Sequence, residues 1–224
     1  MLYKNRIMET EYDNLICVYS SCDHLDSAFK LCKDLKFTNY KIIIFLSKDC
    51  KKQFKSVEHE IVYLDNEEGY EKLSLKTYEM LKYIHTNYDY KTIYKIDATV
   101  ETGETCQIKK EHKHEIFKKF FNGTYCRNKE YDGAGKRLTN EKRLKNWADK
   151  KQIKINTKIF RDLTQCDSIT YYSGKFYVIG YDFSKYIIEK SDIKNISSTL
   201  TQYLGGSEDL MIGILYQNYL KENA

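Results

Sequence analysis

Strand and helix patterns alternate over the first hundred residues, and this alternation limits the possible folds more than any other feature of the chain. Continuous apolar runs bounded by polar residues indicate buried strands, whereas apolar residues at steps of three and four indicate helices. The strand patterns cover 15–19, 41–47, 60–64 and 92–100, and the helix patterns begin near Asp23 and cover 73–84. This order predicts an α/β fold of the Rossmann type, with a mixed, mostly parallel sheet flanked by helices.

The later part of the chain contains a basic segment at about 109–154. It holds 15 Lys or Arg against 6 Asp or Glu, and the whole chain has a net charge of +5, so the remainder carries −4. Glycines at 123, 133 and 135 interrupt its periodicity, although helices are predicted at 115–121 and 141–150. A strand pattern follows at 169–180 and a helix pattern at 207–220. With 224 residues, the chain is predicted to form one domain, 1–224, with the basic segment as an insertion.

Composition excludes several classes of protein. Hydrophobic residues make up 42% and charged residues 31%, which argues against intrinsic disorder. The longest purely apolar run, 42–46, is far shorter than the ~20 residues of a membrane span, and no secretory signal is visible. The seven cysteines are odd in number and form no CxxC pair, which favours free thiols in a reducing compartment over a disulfide framework or a zinc knuckle. We therefore expect a soluble, cytoplasmic protein.

Ligands of parallel α/β sheets bind at the carboxyl ends of the strands. Two loops satisfy this condition, one after Tyr19 and one after Asp97. Both are therefore candidate parts of a binding site.

Four blocks, in order, resemble the β-1,3-galactosyltransferase and β-1,3-N-acetylglucosaminyltransferase family. The block 70–77 (YEKLSLKT) is similar to the family's Y-x-N-L-T-L-K-T, and 94–100 (YKIDATV) occupies the place of K-x-D-D-D-V. The block 171–180 (YYSGKFYVIG) is similar to Y-x-S-G-x-x-Y-V-L-S, and 205–213 (GGSEDLMIG) to E-D-V-x-V-G. The resemblance covers roughly 58–214.

The resemblance implies a GT-A fold and an inverting glycosyltransferase. The activity it implies is transfer of a hexose from a UDP-sugar to a hydroxyl of a glycan or glycosylated acceptor, with formation of a β-1,3 linkage. The family's membrane anchor and stem are missing from this sequence, which suggests a minimal soluble catalytic domain of viral or microbial origin, acting in the host cytoplasm if viral.

The resemblance also implies a Mn²⁺ or Mg²⁺ ion on Asp97, with Thr99 as a neutral oxygen ligand. The family's aspartate triplet is reduced here to Asp97-Ala98-Thr99. A single carboxylate binds a metal more weakly, so two alternatives remain open. Asp97 caps a turn, or Lys95 and the basic segment contact the diphosphate directly in place of a metal.

The general base of the inverting reaction is assigned by the resemblance to Asp209. The alternative is structural, because Ser207-Glu208-Asp209 also has the composition of a helix N-terminus. A helix start would keep the carboxylate ionised, so the two interpretations are compatible.

Further residues are assigned by the resemblance or by their place in the predicted loops. The candidate contacts to the donor sugar nucleotide are Ser20, Lys76, Lys95, Ser173, Gly174, Gly205 and Gly206. The candidate contacts to the acceptor are Trp147, Tyr172 and Glu208. For each there is a plainer role: a loop cap, a flexible turn, core packing, or a solvated lysine.

Two other functions remain open. The reduced aspartate motif would also fit a degenerate protein that binds a sugar nucleotide without turning it over. The basic 109–154 segment would fit a nucleic-acid-binding module, although the mild overall charge makes nucleic acid an unexpected partner.

Overall fold

A computed structural model describes residues 12–35, 40–50, 58–69, 72–100, 130–151, 155–189, 195 and 208–224. The whole basic segment before residue 130, with the predicted helix at 115–121, lies outside these ranges. So do 152–154, Gly205, Gly206 and Ser207.

A six-stranded sheet in the order β3-β2-β1-β4-β8-β5 forms the centre of the described structure. Strands β1 to β4 are mutually parallel, whereas β8 runs antiparallel to both β4 and β5. The strands of this sheet are β1 (Tyr12–Tyr19), β2 (Lys41–Ser47), β3 (Glu60–Leu64), β4 (Tyr90–Asp97), β5 (Tyr131–Gly133) and β8 (Phe176–Gly180). A separate antiparallel pair consists of β6 (Arg137–Asn140) and β7 (Ser168–Tyr171).

Helices cover both faces of the sheet. They are α1 (Leu25–Asp34), α2 (Leu73–Asn87), α3 (Glu141–Lys151), α4 (Thr157–Thr164), α5 (Tyr181–Glu189) and α6 (Glu208–Glu222). Short 3₁₀ turns at Cys22–His24 and Ala98–Val100 follow β1 and β4. Among the described residues, the helices are too short or too polar to cross a membrane. The predicted α/β, mostly parallel architecture is confirmed.

Strand β1 is buried on both faces. Its successive side chains point to opposite sides of the sheet, and helices cover each side. Leu15, Cys17 and Tyr19 pack in a core shared with α2, α5 and α6. Ile16 and Val18 pack in a second core shared with α1. The near-continuous apolar sequence of the strand is the consequence of this burial.

The strand order reverses between β1 and β4, and this reversal places the candidate site. The chain runs outward from β1 through β2 to β3, and β4 then returns to the opposite side of β1. Tyr19 and Asp97 are direct neighbours in the register of the two strands. The two loops singled out in the sequence therefore leave the sheet side by side, where α/β sheets bind ligands.

The strand-like pattern at 169–180 is corrected by the structure. It contains two strands, β7 and β8, which belong to different sheets and are separated by the residues 172–175. Because period-2 patterning does not distinguish one strand from two with a short turn between them, the break was not visible. Helices α4 and α5 were also not predicted.

The expectation of free cysteines needs one correction. Cys22 and Cys50 form a disulfide with a Cα–Cα distance of 5.4 Å, whereas Cys17 and Cys166 have free thiols. The bonded pair lies just beyond the ends of β1 and β2, two adjacent parallel strands. The fold brings the two residues together although 28 positions separate them in the chain.

Candidate active site

The turn between β7 and β8 holds both acids that the sequence singled out. The Gly174 backbone N–H donates to Asp209 Oδ2 at 3.3 Å. The Asp97 backbone N–H donates to the carbonyl oxygen of Lys175 at 3.0 Å. Asp97 and Asp209 are thus bound to consecutive residues of one turn, at the carboxyl end of β4.

Asp209 lies at the start of α6 and opens onto a cleft of about 420 Å³. Its Oδ1 accepts a hydrogen bond from the Leu210 backbone N–H at 2.9 Å, and Arg137 Nη1 lies 3.4 Å from its Oδ2. The cleft is lined by Lys136, Arg137, Leu138, Thr139, Arg143, Leu144, Trp147, Tyr171, Asp209 and Leu210. The structure therefore brings Trp147, a predicted acceptor contact, into the same cleft as Asp209.

Close packing of α6 on β7 fixes the position of this acid. Gly213, one turn after Asp209, lies against Tyr171, and a Cβ atom there would collide with the Tyr171 side chain. This contact gives a physical reason for the glycine that ends the fourth sequence block.

Glu208, the residue before Asp209, points into the protein and is only 5% exposed. Its Oε1 is 3.1 Å from Lys95 Nζ and accepts a hydrogen bond from the Tyr177 hydroxyl. Burial raises the pKa of Glu208 above its ordinary value, against the opposing effects of Lys95 and Tyr177. This burial disfavours its predicted role as an acceptor contact.

Lys76 and Lys95 are buried and have internal partners. Lys76 Nζ donates to the Ser20 carbonyl oxygen at 2.6 Å and to Glu68 Oε1 at 3.2 Å. Lys95 Nζ donates to the Gly174 carbonyl oxygen. The two ammonium groups lie 4.6 and 4.4 Å from the centre of the Tyr19 ring. Burial lowers the pKa of Lys76.

The two lysines thus hold the loops of the site from inside the fold, and their burial disfavours the predicted contact with the sugar nucleotide. The alternative of a solvated Lys76 is also wrong. Buried lysines are rare, so the sequence alone favoured exposure.

Three other predicted ligand contacts are mostly enclosed. The Ser20 hydroxyl donates to the Ser21 carbonyl oxygen at 3.1 Å. The Ser173 hydroxyl accepts from the Lys175 backbone N–H at 3.4 Å. Tyr172 packs edge-on against Tyr131 with 5.0 Å between the ring centres. These side chains support the floor of the site, so direct contact with a sugar is not indicated for them.

Gly174 lies directly beside both carboxylates. A Cβ atom at this position would be 3.5 Å from Glu208 Oε2 and 3.7 Å from the Asp209 Cβ atom. Its backbone serves Asp209 through the N–H and Lys95 through the carbonyl oxygen. Gly174 thus lies next to Asp209, whereas Gly205 and Gly206 lie outside the described residues.

Asp97 is surrounded by donors. Its Oδ1 accepts from the Thr99 backbone N–H at 2.8 Å and from the Thr99 hydroxyl at 2.7 Å. Its Oδ2 is 3.8 Å from Lys175 Nζ, which also donates to the Thr99 hydroxyl. Burial alone would raise the pKa of Asp97, but Lys95, Lys175 and the Thr99 hydrogen bonds outweigh it and lower the pKa.

These residues do not fit the divalent cation that the resemblance implies. Hard divalent cations take several anionic oxygen ligands, and Asp97 is one carboxylate beside two ammonium groups. In the part of the chain that the structure describes, His, Cys, Asp and Glu side chains form no group of three that could hold a metal. Two like unit charges 4 Å apart near a protein surface repel by about 4 kcal/mol, so an ion beside Lys175 would be disfavoured.

Lys175 and Arg137 are the site residues that sequence reasoning missed. Lys175 follows Ser173-Gly174 in the third resembling block, and Arg137 lies in the basic segment. In the sequence, Lys175 was indicated only by its position next to Ser173-Gly174. Arg137 was indicated only by the net positive charge of its segment.

Comparison with known families decides the relationship. A family model described as galactosyltransferase matches residues 46–220, which extend from the end of β2 to near the end of α6. The chain belongs to the galactosyltransferase family. The match includes all four resembling blocks and confirms the resemblance, and the mostly parallel sheet agrees with a GT-A-like fold. No curated protein matches this galactosyltransferase-family chain significantly.

Proposed function

We propose that this protein is an inverting glycosyltransferase that transfers a hexose from a UDP-sugar to a glycan hydroxyl and forms a β-1,3 linkage. The observation that carries the proposal is the position of Asp209. This carboxylate opens onto the cleft beside Trp147, and the turn that also binds Asp97 holds it in place. Glycosyl transfer is the general activity of the family to which the chain belongs.

The proposed reaction is a single displacement. The acceptor hydroxyl oxygen attacks the anomeric carbon of the donor sugar and forms the new glycosidic bond. The bond from that carbon to the diphosphate oxygen breaks, and its electron pair leaves with the UDP. Asp209 takes the proton of the hydroxyl, a role that is generally worth about 10²–10⁴-fold in rate.

Different walls of the site serve the two substrates in this proposal. The donor diphosphate lies over the carboxyl ends of β1 and β4, the reversal point of the sheet. The acceptor lies in the cleft, where Trp147 and Tyr171 offer aromatic faces and Arg137 and Arg143 offer hydrogen-bond donors. Asp209 lies at the boundary between the two.

The test is an assay of UDP release from UDP-galactose, UDP-N-acetylglucosamine and UDP-glucose, with and without glycan acceptors. We expect one donor to be consumed, and NMR of the product to show a β-anomeric linkage. An α-linked product would contradict the inverting mechanism. A complete absence of both hydrolysis and transfer would contradict the enzyme assignment.

One observation favours a second candidate function. Because Asp97 lies among cations instead of further carboxylates, a degenerate protein that binds a sugar nucleotide without turnover also fits the site. UDP binding in calorimetry, without transfer to any acceptor, would support that alternative. The nucleic-acid hypothesis gains no support, since most of the segment on which it rests lies outside the described residues.

A further inference from the structure

We infer that the ammonium group of Lys175 takes the place of the divalent cation in this protein and stabilises the diphosphate as it leaves. The inference rests on the proposed function and adds to it an activity that does not depend on a metal. It assigns Lys175 as a catalytic residue and Asp97 as the residue that positions it.

Lys175 lies where the resemblance would place the metal. Lys175 Nζ contacts both residues to which the resemblance would assign the metal, at 3.8 Å from Asp97 Oδ2 and by a hydrogen bond to the Thr99 hydroxyl. The backbone of Lys175 is also fixed there, because its carbonyl oxygen accepts the Asp97 N–H. The lysine is therefore attached to the end of β4 at two points.

Lys175 is also partly exposed to solvent. The side chain of Lys175 is 23% exposed and that of Asp97 27%, whereas Lys95 is 1% exposed and binds Glu208 inside the fold. Lys76 is likewise buried against Ser20. Of these three lysines, Lys175 is the one that a phosphate entering over the strand ends would reach.

Asp97 balances the charge of Lys175 and holds the side chain in place. Asp97 already accepts two hydrogen bonds from Thr99 on one oxygen and faces Lys175 with the other. It serves the lysine as a counter-ion and an anchor. An ammonium group held in this way supplies a fixed positive charge, which a leaving diphosphate requires and which a metal otherwise provides.

The chemical step balances without a metal. As the bond between the anomeric carbon and the phosphate oxygen breaks, the electron pair moves onto the diphosphate, and hydrogen bonds from the Lys175 ammonium to its oxygens strengthen. The proton of the acceptor hydroxyl goes to Asp209. Lys175 keeps its own protons throughout.

The first experiment needs no variant. UDP affinity by calorimetry and UDP release from a donor sugar are measured for the whole chain in excess EDTA and in Mn²⁺. We expect the UDP affinity in EDTA and in Mn²⁺ to agree within about 2-fold, and the rate of UDP release likewise. A 2-fold change corresponds to RT ln 2, about 0.4 kcal/mol, which is far less than the loss of a metal ligand would cost. Turnover that EDTA abolishes and Mn²⁺ restores would overturn the inference and leave the proposed function standing. If UDP binds under neither condition, both fail.

The second experiment removes the charge. Lys175→Ala is expected to weaken UDP binding by about 10- to 100-fold, the range for one charge-assisted hydrogen bond, and Lys175→Arg to retain most of the affinity. Lys185→Ala on α5, where the lysine is exposed and pairs with Glu189, is the matched control and is expected to bind UDP normally. Unchanged UDP affinity in Lys175→Ala would overturn the assignment.

The third experiment tests the positioning role of Asp97. Asp97→Asn is expected to weaken UDP binding in the same direction, and the double variant with Lys175→Ala to bind no more weakly than Lys175→Ala alone. Additive losses in the double variant would contradict an action of Asp97 through Lys175, because they would indicate two independent contributions.

Discussion

Glu208 and Asp209 are neighbours in the sequence, yet the fold places them in two different regions. Glu208 lies in a buried charged layer beneath the site, together with Lys76, Lys95, the Tyr19 ring and the Tyr177 hydroxyl. Asp209 lies above that layer and opens onto the cleft. The comparison teaches that identical carboxylate chemistry serves structure in one region and, as we propose, catalysis in the other.

Both regions are connected through the backbone of the turn 173–175. The Gly174 carbonyl oxygen accepts a hydrogen bond from Lys95 on the buried side of the turn. The Gly174 N–H donates to Asp209 on the cleft side. The buried layer therefore sets the position of the turn, and the turn positions the acid. Substitutions below the turn should change stability first, and substitutions above it should change activity first.

The largest effect on stability is predicted for Lys95→Met. Removal of one partner from a buried ion pair leaves the other charge uncompensated and costs about 3–5 kcal/mol of unfolding free energy. Urea denaturation measures this loss. Lys175→Met, which removes a partly exposed lysine from the upper region, is expected to cost less than about 1 kcal/mol. Equal losses in the two variants would break the distinction between the regions.

A smaller effect is predicted for Trp147→Ala in the cleft. Loss of about 1.4 kcal/mol of acceptor contact corresponds to about 10-fold in the KM for the glycan, with UDP affinity unchanged. Steady-state kinetics at saturating donor measures the first quantity and calorimetry the second. The KM of Trp147→Phe, which keeps an aromatic face, should lie between the values of the wild type and of Trp147→Ala. A loss of UDP affinity equal to the loss for the acceptor would place Trp147 on the donor side instead.

The smallest effect concerns pH and a second carboxylate with the same kinds of partner as Glu208. Glu60 binds Lys41 at 2.8 Å and accepts from the Tyr88 hydroxyl at 2.6 Å, but it is 26% exposed. Burial would raise its pKa, yet the Lys41 and tyrosine hydrogen bonds outweigh it and lower the pKa. For Glu208, which is nearly fully buried, burial wins and the pKa rises.

Because the folded pKa of Glu60 lies below the unfolded value of about 4.3, its contribution to stability is present above that pH. The contribution is lost as the pH falls through the folded pKa. Glu60→Gln should therefore flatten the acid limb of unfolding free energy against pH. If unfolding free energy falls with pH equally steeply in Glu60→Gln and in the wild type below about pH 4, the lowered pKa of Glu60 is contradicted.

The sequence predicted most of the parallel sheet because each buried strand is a local apolar run. The continuous apolar run at 41–47 and the steps of three and four along 73–84 correspond closely to β2 and α2. The short helices α4 and α5 were missed, and so was the break between β7 and β8. Such features depend on packing against distant segments, which local periodicity does not report.

The structure brings predicted site residues of the cleft close together and buries several charged residues that were given ligand roles. Asp209 and Trp147 line one cleft, and Gly174 donates its backbone N–H to Asp209. Lys76, Lys95 and Glu208 were given ligand roles because they lie in the blocks that resemble the family. Their partners, such as Gly174 for Lys95, are remote in sequence, so the burial of these charges was invisible before the fold was known.

The most direct test of the account compares turnover of a UDP-sugar by the wild type and by Asp209→Asn, with UDP affinity and melting temperature measured on the same samples. The account predicts a loss of about 10²–10⁴-fold in turnover, with both UDP affinity and melting temperature close to those of the wild type. Glu208→Gln is the neighbouring comparison and is expected to lower the melting temperature. Turnover in Asp209→Asn within about 3-fold of the wild type would contradict the account, since a general base is worth far more than that.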